Sequence, residues 1–574
     1  MSHKVILHDA FKGYTFDQDK VVSPEETVRR FRERLKEVQL DILEGTVRID
    51  TGRLDIPVYF SICGKDAMSV VGTKKQMGKG GTPEQAEASA VMELAERFSL
   101  FSFLNRSEHF FVEEYRNLKE QALSFDLIAR SVHDDTGELD RVRTVFSRVP
   151  FKWTWAYNLT RDEEVLIPFN WFYTINEYNG SSAGNCVEEA LIQGICEVVE
   201  RHVSSLISQM RPRTPSIRTE SVTDPMALEM IQKYRRAGVK LHISDFSLNT
   251  GIPSVGVLGY DPSTFPARSE IVWTAGTAPD PQKALNRALA EVAQLAGDFN
   301  TSSKYVASGL PKLKNLSEAH FITRTDTEID IKSLPDLSDN NIKVEVENCV
   351  SALSRIGMEV IVVDIMHPEL KIPAFYTIIP GAHFRERAAG TSVGMFTARM
   401  IAESLDPQTA IAELKKMDSL LPGKYYVKFF LGLCHHSMKN LSIALKYFSD
   451  ALELDPRRED IPTVYSYIGA CLKDSGNYRE AIKALRKGEA YDNERTDIYN
   501  MMGFCYFKLK EHEKAIQCFQ KVISLNPSSA IDYANIASNY RDMGNKEMAI
   551  RYYRLALELD PSIDFARHNL QKLE

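Results

Sequence analysis

Past residue 423 the sequence repeats itself. Gly432, Gly469, Gly503 and Ala537 stand 37, 34 and 34 residues apart, and Ala444, Ala481, Ala515 and Ala549 follow them by 12 each. Four positions further on come Phe448, Leu485, Phe519 and Tyr553. Pro456, Pro527 and Pro561 close three of the units, and Asn493 stands where the fourth would have its proline. A 34-residue period with small and bulky residues at fixed offsets describes a helix–turn–helix unit. The small residues let two helices approach closely, and the proline stops the second. Four units and a terminal helix from Ile563 onward predict an all-α solenoid over 423–574 with a concave groove. That groove either holds a peptide or partner protein, or packs against the rest of the chain or a second copy.

The other part, 1 to about 420, reads as mixed helix and strand. Segments 56–63, 165–174, 252–261, 358–365 and 372–381 carry strand composition, and 27–43, 83–104, 186–209 and 281–298 carry helical periodicity. The expected class is therefore an α+β core followed by the solenoid, divided near Leu421-Pro422-Gly423. The 574 residues hold 70 Lys+Arg against 78 Asp+Glu, a net charge of −8, which gives no bulk reason to bind nucleic acid directly. An apolar fraction of 44% argues against collagen-like, disordered or coiled-coil chains. No apolar run is long enough to span a membrane and no signal peptide is read, so no membrane association is expected. Eight scattered cysteines without a CxxC pair point to a reducing cytoplasm and away from zinc.

Three helical stretches carry the chemistry. In the first, Glu93, Glu96 and Arg97 share a face, with Ser89 one turn earlier. In the second, Glu197, Glu200 and Arg201 repeat the same Glu-x-x-Glu-Arg spacing 104 residues later, with Gln193 one turn and Glu189 two turns before. In the third, Arg287 and Glu291 are four apart, beside Gln294. Glu–Arg pairs at this spacing are common on solvated helices, where each contributes only about 0.2–0.5 kcal/mol. Here the surrounding residues are nearly all apolar, and buried carboxylates need a cation or strong donors. Several carboxylates in one core raise each other's pKa, and a divalent ion relieves that. Mg²⁺ takes oxygen ligands and bridges carboxylates to phosphates, while arginines supply planar donors to phosphate oxygens. The residues thus read as a nucleotide–Mg²⁺ cradle without a phosphate-binding loop of the Gly-x4-Gly-Lys-Ser/Thr type. Gly78-Lys79-Gly80-Gly81 before the first helix offers either an anion site or an ordinary turn. Asn185, before the second, either caps that helix or meets a ligand.

At the segments 78–99, 179–202 and 284–294 the sequence resembles the YcaO family, whose three ATP-binding segments occur in this order. The resemblance covers about residues 15–415. It implies metal roles for Glu93, Glu96, Glu197 and Glu200. It implies nucleotide or metal contacts for Ser89, Asn185, Glu189, Arg201, Arg287 and Glu291, to which the reading of the residues themselves adds Arg97 and Lys79 as nucleotide contacts. Some members add an N-terminal Lys and a hydroxyl seven residues on, a spacing matched by Lys20 and Thr27. The cofactors implied are ATP and Mg²⁺. The activity implied is phosphorylation of a peptide backbone amide, yielding an azoline from a side-chain nucleophile or a thioamide from external sulfide. The catalytic residue itself is not named by the resemblance. The chain ends HNLQKLE instead of in the proline-rich tail frequent among azoline formers. The repeats, which resemble tetratricopeptide repeats, match the housekeeping bacterial members, linked as accessory factors to methylthiolation of a small-subunit ribosomal protein. Implied partners are a peptide or protein substrate, a sulfur-delivery or methylthiotransferase protein through the repeats, and a second copy of the chain.

His202, directly after Arg201, reads as a structural histidine before an acid or base. Cys186 and Cys196 read as buried residues before nucleophiles. The run His383-Phe-Arg-Glu-Arg387 follows a strand and is a weaker pocket candidate.

Overall fold

A computed structural model describes residues 3–72, 76–299, 313, 315–384 and 391–574. The chain forms two compact units. One comprises Met1–Gly137 with Pro150–Ser392, and the other Glu138–Val149 with Val393–Glu574.

Among its described residues the first unit holds three sheets. A meander of Leu43–Arg48, Val58–Cys63 and Gln76–Lys79 is antiparallel throughout. A five-stranded sheet runs in the order Val272–Thr277, Ser254–Tyr260, Lys240–Asp245, Ser216–Ile217, Glu328–Ile329. A six-stranded sheet runs Phe111–Glu114, Pro150–Asn158, Ile361–Asp364, Ala374–Ile378, Ser181–Ala183, with Glu163–Pro168 also paired to Pro150–Asn158. Three long helices lie on these sheets: Pro83–Asn105, Val187–Met210 and Pro281–Ala296. They are called the first, second and third site helix below. The first packs on the meander, the third on the five-stranded sheet, and the second touches strands of both larger sheets. Close approach is built into the sequence at Gly78, where a Cβ would fall 2.0 Å from the Ala90 nitrogen of the first site helix. Burial of the apolar faces between helix and sheet forms the cores, for example Val91, Leu94, Ala95 and Phe98 against Ile42 and Cys63.

Two expected elements differ. The helix read over 27–43 is Pro24–Val38, begun by Ser23, whose side chain accepts the Glu26 N–H. It stops early because Gln39 turns left-handed (φ 56°) and Leu43 already belongs to a strand. The segment read as a strand over 165–174 is half strand and half helix. Pairing ends at Pro168, and Phe169–Asn176 is helical, burying Phe169, Phe172 and Ile175 at helical spacing.

In the second unit, four helix pairs follow one another: Tyr425–Ser437 with Leu441–Glu453, Ile461–Asp474 with Tyr478–Tyr491, Thr496–Lys508 with His512–Leu525, and Ala530–Asp542 with Lys546–Leu559. Asp564–Leu573 is the terminal helix. The small-to-large code of the sequence is visible as contact. A Cβ on Gly432, Gly469 or Gly503 would meet Phe448, Leu485 or Phe519 at 2.6, 2.5 and 2.7 Å. Helices Val393–Ser404 and Pro407–Leu420 precede the repeats within this unit, and the turn at 421–423 lies inside it. Helix Leu139–Phe146 joins them, packing its buried Val142 and Phe146 beside Val393–Ser404.

Candidate nucleotide and metal site

The three site helices start from well-formed caps. Thr82 accepts the Gln85 N–H, Cys186 the Glu189 N–H and Asp280 the Gln282 N–H. Cys186, not Asn185, therefore caps the second helix. Between the helices lies a cavity of about 310 Å³.

All fourteen residues expected to hold the metal or the nucleotide line this cavity. The first site helix and the strand before it contribute Lys79, Ser89, Glu93, Glu96 and Arg97. The second helix and its approach contribute Asn185, Glu189, Glu197, Glu200 and Arg201. The third contributes Arg287 and Glu291, and the N-terminal segment Lys20 and Thr27.

Their charges are cross-linked between helices. Lys79 pairs with Glu291. Arg287 Nη1 donates to Gln193 Oε1 at 2.7 Å. Arg97 lies over the Tyr178 ring at 4.4 Å and donates to Ser181 Oγ at 2.8 Å and to Glu96. The Thr277 N–H donates to Glu200 Oε2 at 3.2 Å, fixing the second helix to the five-stranded sheet. Arg201 stands 3.9 Å from both Glu197 and Glu200, and its buried Nε has no hydrogen-bond partner among the described residues.

Seven acidic side chains face five basic ones around the cavity. Burial pushes the Glu96 carboxyl up to about 8, and the nearby Glu197 and Glu93 add to this against Arg97. Burial and Glu200 likewise raise Glu197, against Arg201, Arg97 and Arg287. Burial pulls the Lys79 ammonium down to about 8, with Glu200 opposing and Arg287 and Arg201 assisting. Raised carboxyls mark a site short of positive charge, which a divalent cation supplies. Among the described residues no three Asp, Glu, His or Cys side chains form a ready-made metal cage. Hard oxygen donors, cations at their margin and the partnerless Arg201 Nε fit a Mg²⁺-bound polyphosphate.

Sequence reasoning missed an N-terminal strap. Asp17 and Gln18 line the cavity beside Lys20, and Asn286 and Gln85 line it from the helices. Lys283 Nζ donates to the Thr15 and Phe16 carbonyls at 2.7 and 3.0 Å and to Asp224 Oδ2 at 2.9 Å. Glu189 Oε1 accepts the Val21 N–H at 2.6 Å, while its Oε2 accepts both Asn185 N–H groups at 2.9 Å. Asp17 Oδ2 accepts the Gly81 N–H at 3.3 Å, so that amide of the glycine turn is satisfied from within the chain. An irregular strap has no periodicity, and Asp17 in FDQDK carries no signal.

The remaining candidates stand apart. His202 Nδ1 accepts the His383 N–H at 3.0 Å, and burial lowers this imidazole to about 4, which makes it a neutral structural group. His383 stacks on His133 with ring centroids 3.5 Å apart. Burial pushes the Cys186 thiol up to about 12, leaving no thiolate for attack. Cys196 is buried. Arg385, Glu386 and Arg387 lie outside the described residues.

Residues 77–383, more than half of the chain, match the family model described as YcaO cyclodehydratase, ATP- and Mg²⁺-binding. Residues 425–458, 496–529 and 533–563 match tetratricopeptide repeat models. An uncharacterized protein of Methanothermobacter thermautotrophicus is 27% identical over 389 residues, 63% of this chain and 94% of that one. A ribosomal protein methylthiotransferase accessory factor of Escherichia coli is 26% identical over 339 residues, 54% of this chain and 55% of that one. The structure of a YcaO from Methanopyrus kandleri bound with AMPPCP and Mg²⁺ superposes with a TM-score of 0.51 at 23% identity, covering 65% of this chain and 95% of that one, a likeness of fold. With its motifs, its cavity and its matched length in agreement, the chain belongs to the YcaO family of ATP- and Mg²⁺-binding proteins and carries tetratricopeptide repeats in its second unit.

Proposed function

We propose that this protein uses ATP and Mg²⁺ to activate backbone amides of a peptide or protein substrate, as thioamide or azoline formation requires, in the cytoplasm. In functional terms the chain divides at 420/423, the reaction belonging to the first part and recruitment of substrate or partner to the repeats. The reading is carried by one observation: the carboxylates of two site helices and the arginines of all three line a single cavity. Glu93, Glu96, Glu197 and Glu200 would hold the metal, with Arg201, Arg287 and Lys79 at the phosphates. Ser89, Arg97, Asn185, Glu189, Glu291, Lys20 and Thr27 would contact or orient the nucleotide. Bound Mg²⁺–ATP supplies the phosphoryl group that turns an amide oxygen into a leaving group. The chain's own work is then to position and to neutralise: paired helices fix the acids, and arginines held by Gln193, Ser181 and the glutamates present preorganised donors.

The test is nucleotide binding and turnover by purified wild type beside Glu93→Ala/Glu197→Ala, with and without Mg²⁺. Mg²⁺-dependent binding that the double variant loses is the expected result, and the nucleotide product then narrows the chemistry. A wild type that binds no nucleotide overturns the reading.

The name of the Escherichia coli relative favours a second reading, an accessory factor for methylthiolation of a ribosomal protein whose ATP site is regulatory. In that case a cellular phenotype follows deletion of 423–574 but not Glu93→Ala/Glu197→Ala, and the purified protein turns over no ATP.

A further inference from the structure

One edge of the three-stranded meander borders the nucleotide cavity. Gln76–Lys79 is last in that sheet, and among the described residues no strand pairs with its outer side. The phase of the ladder follows from the middle strand. Val58 directs its backbone groups to the side away from Gln76–Lys79: its C=O accepts the Ile49 N–H at 2.9 Å, and its N–H donates to Asp50 Oδ1 at 3.2 Å. Backbone direction alternates along a strand, so Tyr59 and Ser61 turn theirs to the residues opposite them, Gly78 and Gln76. The N–H and C=O of Met77 and Lys79 therefore point outward from the sheet. Both residues are half-buried and line the cavity. Lys79 pairs with Glu291 of the third site helix. No residue of the opposite edge strand, Leu43–Arg48, lines the cavity.

We propose that this edge binds the backbone of the peptide to be modified as a fourth strand, and so fixes which of its amides meets the nucleotide. Outward N–H and C=O groups on a strand edge are a template for another chain. Met77 and Lys79 together offer two donors and two acceptors to it. Along the added strand every second residue turns its C=O away from the edge and into the cavity. That oxygen has no strand partner and is free to be phosphorylated, whereas the carbonyls bonded to the edge are not. The inference rests on the amide-activating role proposed above and adds a rule of position to it. Affinity comes from the main chain, so substrate side chains choose little here, and a residue without an N–H blocks pairing where the edge needs a donor.

The probe is an acetylated, amidated octapeptide of alternating Thr and Val, at about 1 mM so that a weak complex still forms. Amide hydrogen exchange of the full-length chain is read at single residues by mass spectrometry, with and without Mg²⁺–AMPPCP. In the free chain we expect fast exchange at Met77 and Lys79 and slow exchange at Gly78, whose N–H is paired within the sheet. The peptide is expected to slow Met77 and Lys79 about twofold or more, and its fully N-methylated counterpart, with the same side chains, to leave them fast. Met77→Pro removes one outward N–H where an edge strand tolerates proline, and is expected to lose the slowing at Lys79, with circular dichroism melting run to check the fold. Slowing by neither peptide, or by both alike, overturns the proposal. So does slowing by Mg²⁺–AMPPCP alone, which would give the edge to the nucleotide. These comparisons use wild type and stand even if the variant misfolds. A chain that binds Mg²⁺–AMPPCP while the peptide leaves Met77 and Lys79 fast loses this inference and keeps the ATP reading.

Discussion

Glu96 shows what a single residue can report about the cavity. Its folded-state carboxyl is held up to about 8, whereas the ordinary value is 4.5. Between those values the folded, metal-free chain keeps a proton that the unfolded chain has released. Stability therefore falls as pH rises through that window. We expect Glu96→Gln to flatten this fall and, if Glu96 holds the metal as proposed, to weaken Mg²⁺–nucleotide binding because the negative charge and one carboxylate oxygen are lost. Melting midpoints of the nucleotide-free protein at about pH 5 and pH 8 measure the first effect, and an unchanged slope would count against it. Lys283 makes a second case. We expect Lys283→Met to free the strap at Thr15 and Phe16, raising the KM for ATP more than it lowers kcat and speeding proteolysis within the first 22 residues. Equal KM for variant and wild type would show that the strap is held without it. The glutamates and arginines could be read from sequence because each pair recurs at helical spacing inside an apolar helix. Asp17 and Lys283 could not: their roles depend on an irregular segment meeting a helix more than 260 residues away. Asn185 was ambiguous for a related reason, since only the structure shows its amide groups turned onto Glu189.

At the scale of elements, the repeats were the most legible part, because each packing contact is made by residues of fixed offset. Gly503 under Phe519 is one such contact, and Gly503→Leu places a branched side chain into occupied space. We expect a loss of about 1–3 kcal/mol, read as a lower melting temperature of the repeats. A variant as stable as wild type would mean the helix pair can move apart freely. The first and third site helices begin with proline after a cap, whereas the second begins without one after Cys186. Segment 165–174 was misread because its aromatic residues suit a strand as well as a helix, and only the break in pairing at Pro168 decides. The early stop of the first helix turned on one left-handed residue, Gln39, a conformation that propensity does not foresee for glutamine.

For the whole molecule, the telling feature is where the chain changes unit. Helix Leu139–Phe146 is counted with the repeats although the segments on both sides of it belong to the first unit. A truncation after residue 420 keeps its partner helix Val393–Ser404, whereas one after 392 removes it and uncovers Val142 and Phe146. We expect the longer fragment to be the more soluble, as size-exclusion chromatography would register; equal behaviour would mean that Leu139–Phe146 finds cover elsewhere. The same arrangement sets a clock on the nascent chain. Val142 and Phe146 leave the ribosome about 250 residues before Val393, roughly 12–50 s at ordinary translation speeds. Throughout that interval a greasy helix must wait without its mate, a natural moment for a chaperone to hold it and a natural point for slow or interrupted synthesis to end in aggregation.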